Sequence, residues 1–122
     1  METVAKIVAA HRSGKTTPEQ TIARTFERIR AYNDPALFIS LSGEKQALAQ
    51  ARKLTKAKGR KLPLWGVPVA VKDNIDVEGL PTTAACPAYS YMPERDATAV
   101  AKLRAAGAIV IGKTNLDQFA TG

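Results

Sequence analysis

The chain is poor in several of the residues that reactive sites use most. It has one cysteine, Cys86, and one histidine, His11, among 122 residues. A single cysteine excludes an intrachain disulfide and fits a reducing compartment, so the expected location is cytoplasmic. One histidine and one cysteine leave no ligand pair at zinc spacing. Cys86 as a nucleophile would have His11 as its only imidazole partner, and the two fall in different segments, a loop and a helix expected at the surface. A small packed thiol is the simpler reading. No apolar run approaches the ~18 residues of a membrane span. The start, METVAKIVAAHRSGK, has an early acid and no apolar core of the secretory type. Aromatic residues make up 6% of the chain, which bears on the partners its charge would suggest.

That charge is strongly positive: 18 Lys and Arg against 11 Asp and Glu, a net +7. Much of the excess is local, in Arg52, Lys53, Lys56, Lys58, Arg60 and Lys61. Such a run is the electrostatic footprint of nucleic-acid binding. No aromatic residue interleaves it for base stacking, however, and charge runs are usually solvated surface. A nucleic-acid-binding module therefore stays as an alternative from a different functional class, and no nucleic-acid partner is expected.

Hydrophobic periodicity places the elements. Val4, Ile7 and Val8 make a helical stripe ending at Ser13-Gly14. Thr17, Pro18 and Gln20 form the N-cap, N1 and N3 of a second helix through Ile22, Phe26 and Ile29, stopped by NDP at 33–35. ALFISL (36–41) has strand character. Residues 43–58 return to helical period through Ala47, Leu48, Ala51 and Leu54 and close at Gly59. A buried strand follows at 67–71, apolar on both faces up to Lys72. After an irregular stretch, Asp96 caps a helix over 97–106, and AIVI (108–111) forms another strand. Strand, crossover with a helix, strand predicts a parallel pair in an α/β sheet.

Ligand sites in open α/β sheets lie beyond the carboxyl ends of the strands. Lys72 stands at one such end, and the polar run Lys113-Thr114-Asn115 follows the other. A lysine buried there is pushed toward its neutral amine and could serve as a base, including toward a serine hydroxyl. The plain alternative is a lysine reaching solvent or paired with Asp73 or Asp76. Gly107 and Gly112 flank the second strand and make no phosphate loop.

Four ordered blocks carry a more specific signal: GVPVAVKDN (66–74), LPTTAA (80–85), DATAVAKLRAAGA (96–108) and GKTNLDQFATG (112–122). Together they resemble the amidase signature family across positions 66–122. Residues 1–65 match only as a helical lead-in, so one partial domain is expected, with the family core starting at 66. The resemblance implies the amino-terminal part of that α/β fold, helices followed by parallel strands of a mixed sheet. It also implies a Ser–cis-Ser–Lys triad in which Lys72 is the lysine, set in a cleft. Both serines belong to a Gly/Ser-rich segment that follows the DQFATG block, so the chain is expected to be a piece of a longer one and inactive alone. Asp73 and Asn74 would fix the strand end, and Thr82, Thr83 and Asp117 would buttress the site. Within the family, TTAACP and TNLDQFATG resemble the allophanate hydrolases, including the amidase portion of urea amidolyases. The A-type subunits of glutaminyl-tRNA amidotransferases tend toward TTCAS and MDEFAMG and are the nearest alternative. The implied substrate is a small amide, with no cofactor, metal or membrane; self-association of the full-length protein stays open.

Overall fold

The computed structural model describes residues 2–56 and 59–122. Its first helix, α1 (Val4–Ser13), starts on the Thr3 side chain and ends at Gly14 in the left-handed region. The second, α2 (Pro18–Tyr32), has the expected capping box: Thr17 accepts from the Gln20 amide, and the Gln20 side chain accepts from the Thr17 amide. This closes orphan donors at the helix start. Strand β1 (Phe38–Leu41), helix α3 (Glu44–Lys56), strand β2 (Pro68–Lys72), helix α4 (Thr98–Ala105) and strand β3 (Ile109–Thr114) follow. The basic run expected to close α3 extends into residues 57–58, which lie outside the described residues.

The sheet order is β1-β3-β2, with β3 central, antiparallel to β1 and parallel to β2. The parallel crossover through α4 is therefore present, within a mixed sheet. Ile22 and Phe26 of α2, Ala47 and Ala51 of α3, and Ile109 and Ile111 of β3 form one buried cluster. Val71, Val77, Val100 and Val110 form another, under α4. The helices and strand before residue 66 thus share a core with the strands after it.

Three expectations are corrected. The central strand continues to Thr114, three residues past the apolar run, because Gly112, Lys113 and Thr114 pair with β1 and β2. Gly112 lies inside the strand: a Cβ there would sit 2.7 Å from the Ser40 carbonyl oxygen, so its small size lets β1 approach. Asp96 does not cap α4. Its carboxylate accepts from the Glu78 amide at 2.7 Å and pairs with Arg104 at 2.9 Å, and Ala97 is the N-cap without a side-chain bond. His11 is buried and structural rather than at the surface: Nδ1 lies 2.8 Å from the Trp65 carbonyl and Nε2 lies 2.6 Å from the Thr21 hydroxyl.

Candidate active site at the end of the parallel strands

Lys72 is the last residue of β2 and pairs with Thr114 of β3. Its backbone is well held. The next amide, of Asp73, donates to the Thr114 carbonyl at 3.1 Å, and the Ile75 amide donates to the Lys72 carbonyl at 3.0 Å. The side chain is not enclosed as expected. β2 is an edge of the sheet, and on the face carrying Ala70 and Lys72 both residues are exposed while Val71 on the opposite face is buried. Among the described residues, Lys72 forms no ion pair and no side-chain hydrogen bond. Neither Asp73 nor Asp76 neutralises it.

Asp73 instead pairs with Lys113. The two side chains are fully buried, with Nζ 3.0 Å from Oδ1. The directed bonds of the ammonium go to the Pro81 carbonyl at 3.1 Å and, at the long limit of 3.5 Å, to the Thr82 hydroxyl. Oδ1 thus takes the charge without an aligned hydrogen bond. The other carboxylate oxygen, Oδ2, accepts from the Thr83 amide at 3.1 Å and from the Thr83 hydroxyl. The Asp73 carbonyl accepts from the Ala84 amide at 3.2 Å.

The loop held in this way is unusual in its backbone. Ala84 and Ala85 have φ of 51° and 60°, both in the left-handed region. Non-glycine residues there cost of order 1–3 kcal/mol each and persist where their surroundings over-determine them. The bonds from Ala84 to Asp73, from the Ala85 amide to the Thr83 hydroxyl at 3.2 Å, and from the Phe119 amide to the Ala84 carbonyl at 3.0 Å supply that constraint.

Beside it lies a second polar group. The Asp76 carboxylate accepts from the Tyr91 hydroxyl at 2.6 Å and from the Thr82 hydroxyl at 2.8 Å. These bonds, Tyr91 first, hold the Asp76 carboxyl below its ordinary range, and the same contact pushes the Tyr91 phenol up.

Of the five residues expected to support Lys72, the structure brings three together: Asp73, Thr83 and, through Lys113, Thr82. Asn74 and Asp117 are exposed, and among the described residues neither side chain bonds to this group. Lys113, which no pattern in the sequence tied to Asp73, completes the set. Cys86 is half-buried and His11 is occupied by Trp65 and Thr21, so no thiol–imidazole pair forms. No group of three His, Cys, Asp or Glu among the described residues is placed to hold a metal. Within the basic run, Arg52 pairs with Glu19 and Arg60 donates to the Arg12 carbonyl, so part of its charge serves tertiary contacts. No helix among the described residues is long and apolar enough to cross a membrane.

A family model described as Amidase matches residues 20–122. The chain belongs to the amidase family. It is 55% identical over 114 residues to the urea amidolyase of Lachancea kluyveri, covering 89% of this chain and 6% of that protein. It is 44% identical over 114 residues to the A-type subunit of the glutamyl-tRNA(Gln) amidotransferase of Lawsonia intracellularis, covering 90% and 23%. A solved structure of Kluyveromyces lactis allophanate hydrolase superposes with a TM-score of 0.81 at 48% identity, covering 99% of this chain and 20% of that one. The chain thus spans less than a quarter of the length of each of these relatives, and the amidase fold extends over its helical residues as well as its strands.

Proposed function

We propose that residues 1–122 form the amino-terminal part of a C–N amide hydrolase acting on allophanate, with Lys72 as its catalytic lysine. Residues 1–65 would be its lead-in and residues 66–122 the start of its catalytic core. The observation that carries the reading is the position of Lys72: the end of a parallel strand, its backbone fixed on both sides and its side chain without a partner among the described residues. Of the plain alternatives, pairing with Asp73 or Asp76 does not occur: Asp73 is committed to Lys113, and Asp76 accepts from Tyr91 and Thr82.

In the complete hydrolase the Lys72 amine would take a proton from the cis-serine, which in turn deprotonates the nucleophilic serine. That serine attacks the amide carbonyl, and backbone amides beside it stabilise the oxyanion. The C–N bond breaks with ammonia leaving, and water then hydrolyses the acyl-enzyme. With allophanate, the carbamoyl products break down to ammonia and carbon dioxide, a step of urea degradation. The single cysteine supports a cytoplasmic setting.

The allophanate assignment is supported by the higher identity to urea amidolyase, 55%, than to the amidotransferase chain, 44%. The test is ammonia release from allophanate by the complete hydrolase and its Lys72→Ala variant. A loss of ~10²–10⁴-fold is expected for a proton acceptor. Turnover within about tenfold of the parent would overturn the base role. Activity confined to glutamine, and only with partner proteins and charged tRNA, would move the chain to the amidotransferase class.

A further inference from the structure

We infer that Lys113 is a positioning residue for Lys72, acting through Asp73. The inference rests on the proposed role of Lys72 and adds a residue to it. Lysine is rarely buried completely, and a buried ion pair is often no more stabilising than apolar side chains of the same volume. Yet the Lys113 side chain has 0% of its surface exposed, in the central strand of the sheet, where β-branched residues are the ordinary choice. Its contacts indicate what it does there.

The Lys113 ammonium reaches two segments at once, the turn after β2 and the loop at 81–82. It meets Asp73, the residue directly after Lys72, at 3.0 Å; the Pro81 carbonyl at 3.1 Å; and the Thr82 hydroxyl at 3.5 Å. Asp73 passes the constraint on. Its free oxygen takes both donors of Thr83, and its carbonyl takes the Ala84 amide, which holds the two left-handed alanines against the strand end. Remove the ammonium and Asp73 is a buried carboxylate without a counter-charge. The carboxylate then loses the partner that fixes Oδ1, which loosens the loop at 81–85 and the turn that carries Lys72. Lys72 has no side-chain partner of its own among the described residues, so its placement depends on this backbone frame. Displacing a catalytic group by about 1 Å can cost ~10²-fold in rate.

The experiment compares the complete hydrolase with Lys113→Met, the double variant Asp73→Leu/Lys113→Met, and Lys72→Ala, each measured per folded molecule on allophanate. Lys113→Met should lower kcat by ~10²-fold with KM within about threefold, because positioning acts on the chemical step rather than on ground-state binding. The double variant removes the stranded charge and is expected to fold, with the same loss of kcat. A purely structural role predicts the opposite, recovery of kcat once the pair is replaced together; that recovery, or a Lys113→Met kcat within about threefold of the parent, overturns the inference while a dead Lys72→Ala leaves the base role standing. If Lys113→Met does not fold, the double variant decides alone. Turnover surviving in Lys72→Ala would overturn the base role, and the inference with it.

Discussion

Lys113 Nζ lies 3.0 Å from Asp73 Oδ1, and both side chains are fully buried. Breaking such a pair from one side leaves an uncompensated charge inside the fold, which costs about 3–5 kcal/mol. That is a large part of the 5–15 kcal/mol typical of a whole domain. Lys113→Met or Asp73→Ala should therefore lower the urea midpoint of residues 1–122 sharply, followed on the emission of Trp65, the one tryptophan, which is buried. Lys72→Ala, at an exposed position, should stay within about 0.5 kcal/mol of the parent. Equal losses from Lys72→Ala and Lys113→Met would contradict the burial difference between the two lysines.

The Asp76–Tyr91 contact should leave a signature at both ends of the pH scale. The Asp76 carboxyl is held down, chiefly by the Tyr91 hydroxyl and then by Thr82, so folding favours its ionised form. The stability this adds is present above the ordinary aspartate value, near pH 4, and is lost as pH falls through the depressed folded value. Tyr91 is raised by the same contact, so folding favours its protonated form. That contribution is present below about pH 10 and is lost as pH rises through the folded value. Both are small, because the groups are open to solvent. Tyr91→Phe should bring the Asp76 midpoint, followed by carboxyl-carbon NMR, back up toward that of a free aspartate. An unchanged midpoint would mean that Tyr91 is not what holds it down.

Cys86 should be dispensable. Its backbone shapes the turn, with the amide donating to the Thr83 carbonyl at 2.8 Å and the carbonyl accepting from Tyr89 at 2.9 Å. Its thiol has no imidazole beside it, since His11 is fixed between Trp65 and Thr21 in another part of the fold. Cys86→Ser keeps the backbone bonds, and ammonia release by the complete hydrolase should stay within about twofold, given that surface-type changes away from a reacting group are near neutral. A folded Cys86→Ser protein without activity would restore the thiol as a candidate nucleophile. His11→Ala, by contrast, should destabilise by about 1–3 kcal/mol through the two polar groups it leaves unpaired.

How far the sequence carries the structure depends on which force acts at each position. The capping box at Thr17 and Gln20 is a local bond between neighbours, and it was legible from residue types alone. The α2 stripe of Ile22 and Phe26 and the apolar strands around Val71 and Val110 follow from periodicity, and the crossover through α4 follows from their order. Three features depended on partners distant in sequence. The extension of β3 through Lys113 needs Asp73, forty residues earlier, to neutralise a lysine that reads as strand-ending. Asp96 has the composition of an N-cap but is drawn to Arg104 and the Glu78 amide. His11 reads as part of a polar helix face, yet Trp65 packs edge-on against it and buries it. In the site itself, the place of Lys72 at the end of β2 followed from the apolar run before it, and its proposed role came from the family resemblance. The residue fixing the acid beside it was not legible.

Residues 1–122 expressed alone should release no ammonia from allophanate or simple amides. The proposed reaction needs a nucleophile, and four serines are available in the chain: Ser13, Ser40, Ser42 and Ser90. Ser13 donates to the Ala10 carbonyl at the end of α1, and Ser42 donates to the Val110 carbonyl at 3.0 Å. Ser40 lies within β1, its hydroxyl buried without a partner. Ser90 is in the turn after Pro87–Tyr89. Among the described residues none of these hydroxyls bonds to Lys72, so none is activated by it. Nor does any stand on the strand-to-helix elbow that exposes a nucleophile beside oxyanion donors. A lone proton acceptor supplies neither attack nor oxyanion stabilisation, and parts of a triad retain little of its combined effect. Ammonia release should therefore match buffer, with Lys72→Ala indistinguishable from the parent chain. Turnover on the order of 1 s⁻¹, an ordinary rate for an enzyme, would place the nucleophile within these residues. A Lys72→Ala control that abolished it would show which serine to seek: one that comes within reach of Lys72 once substrate binds.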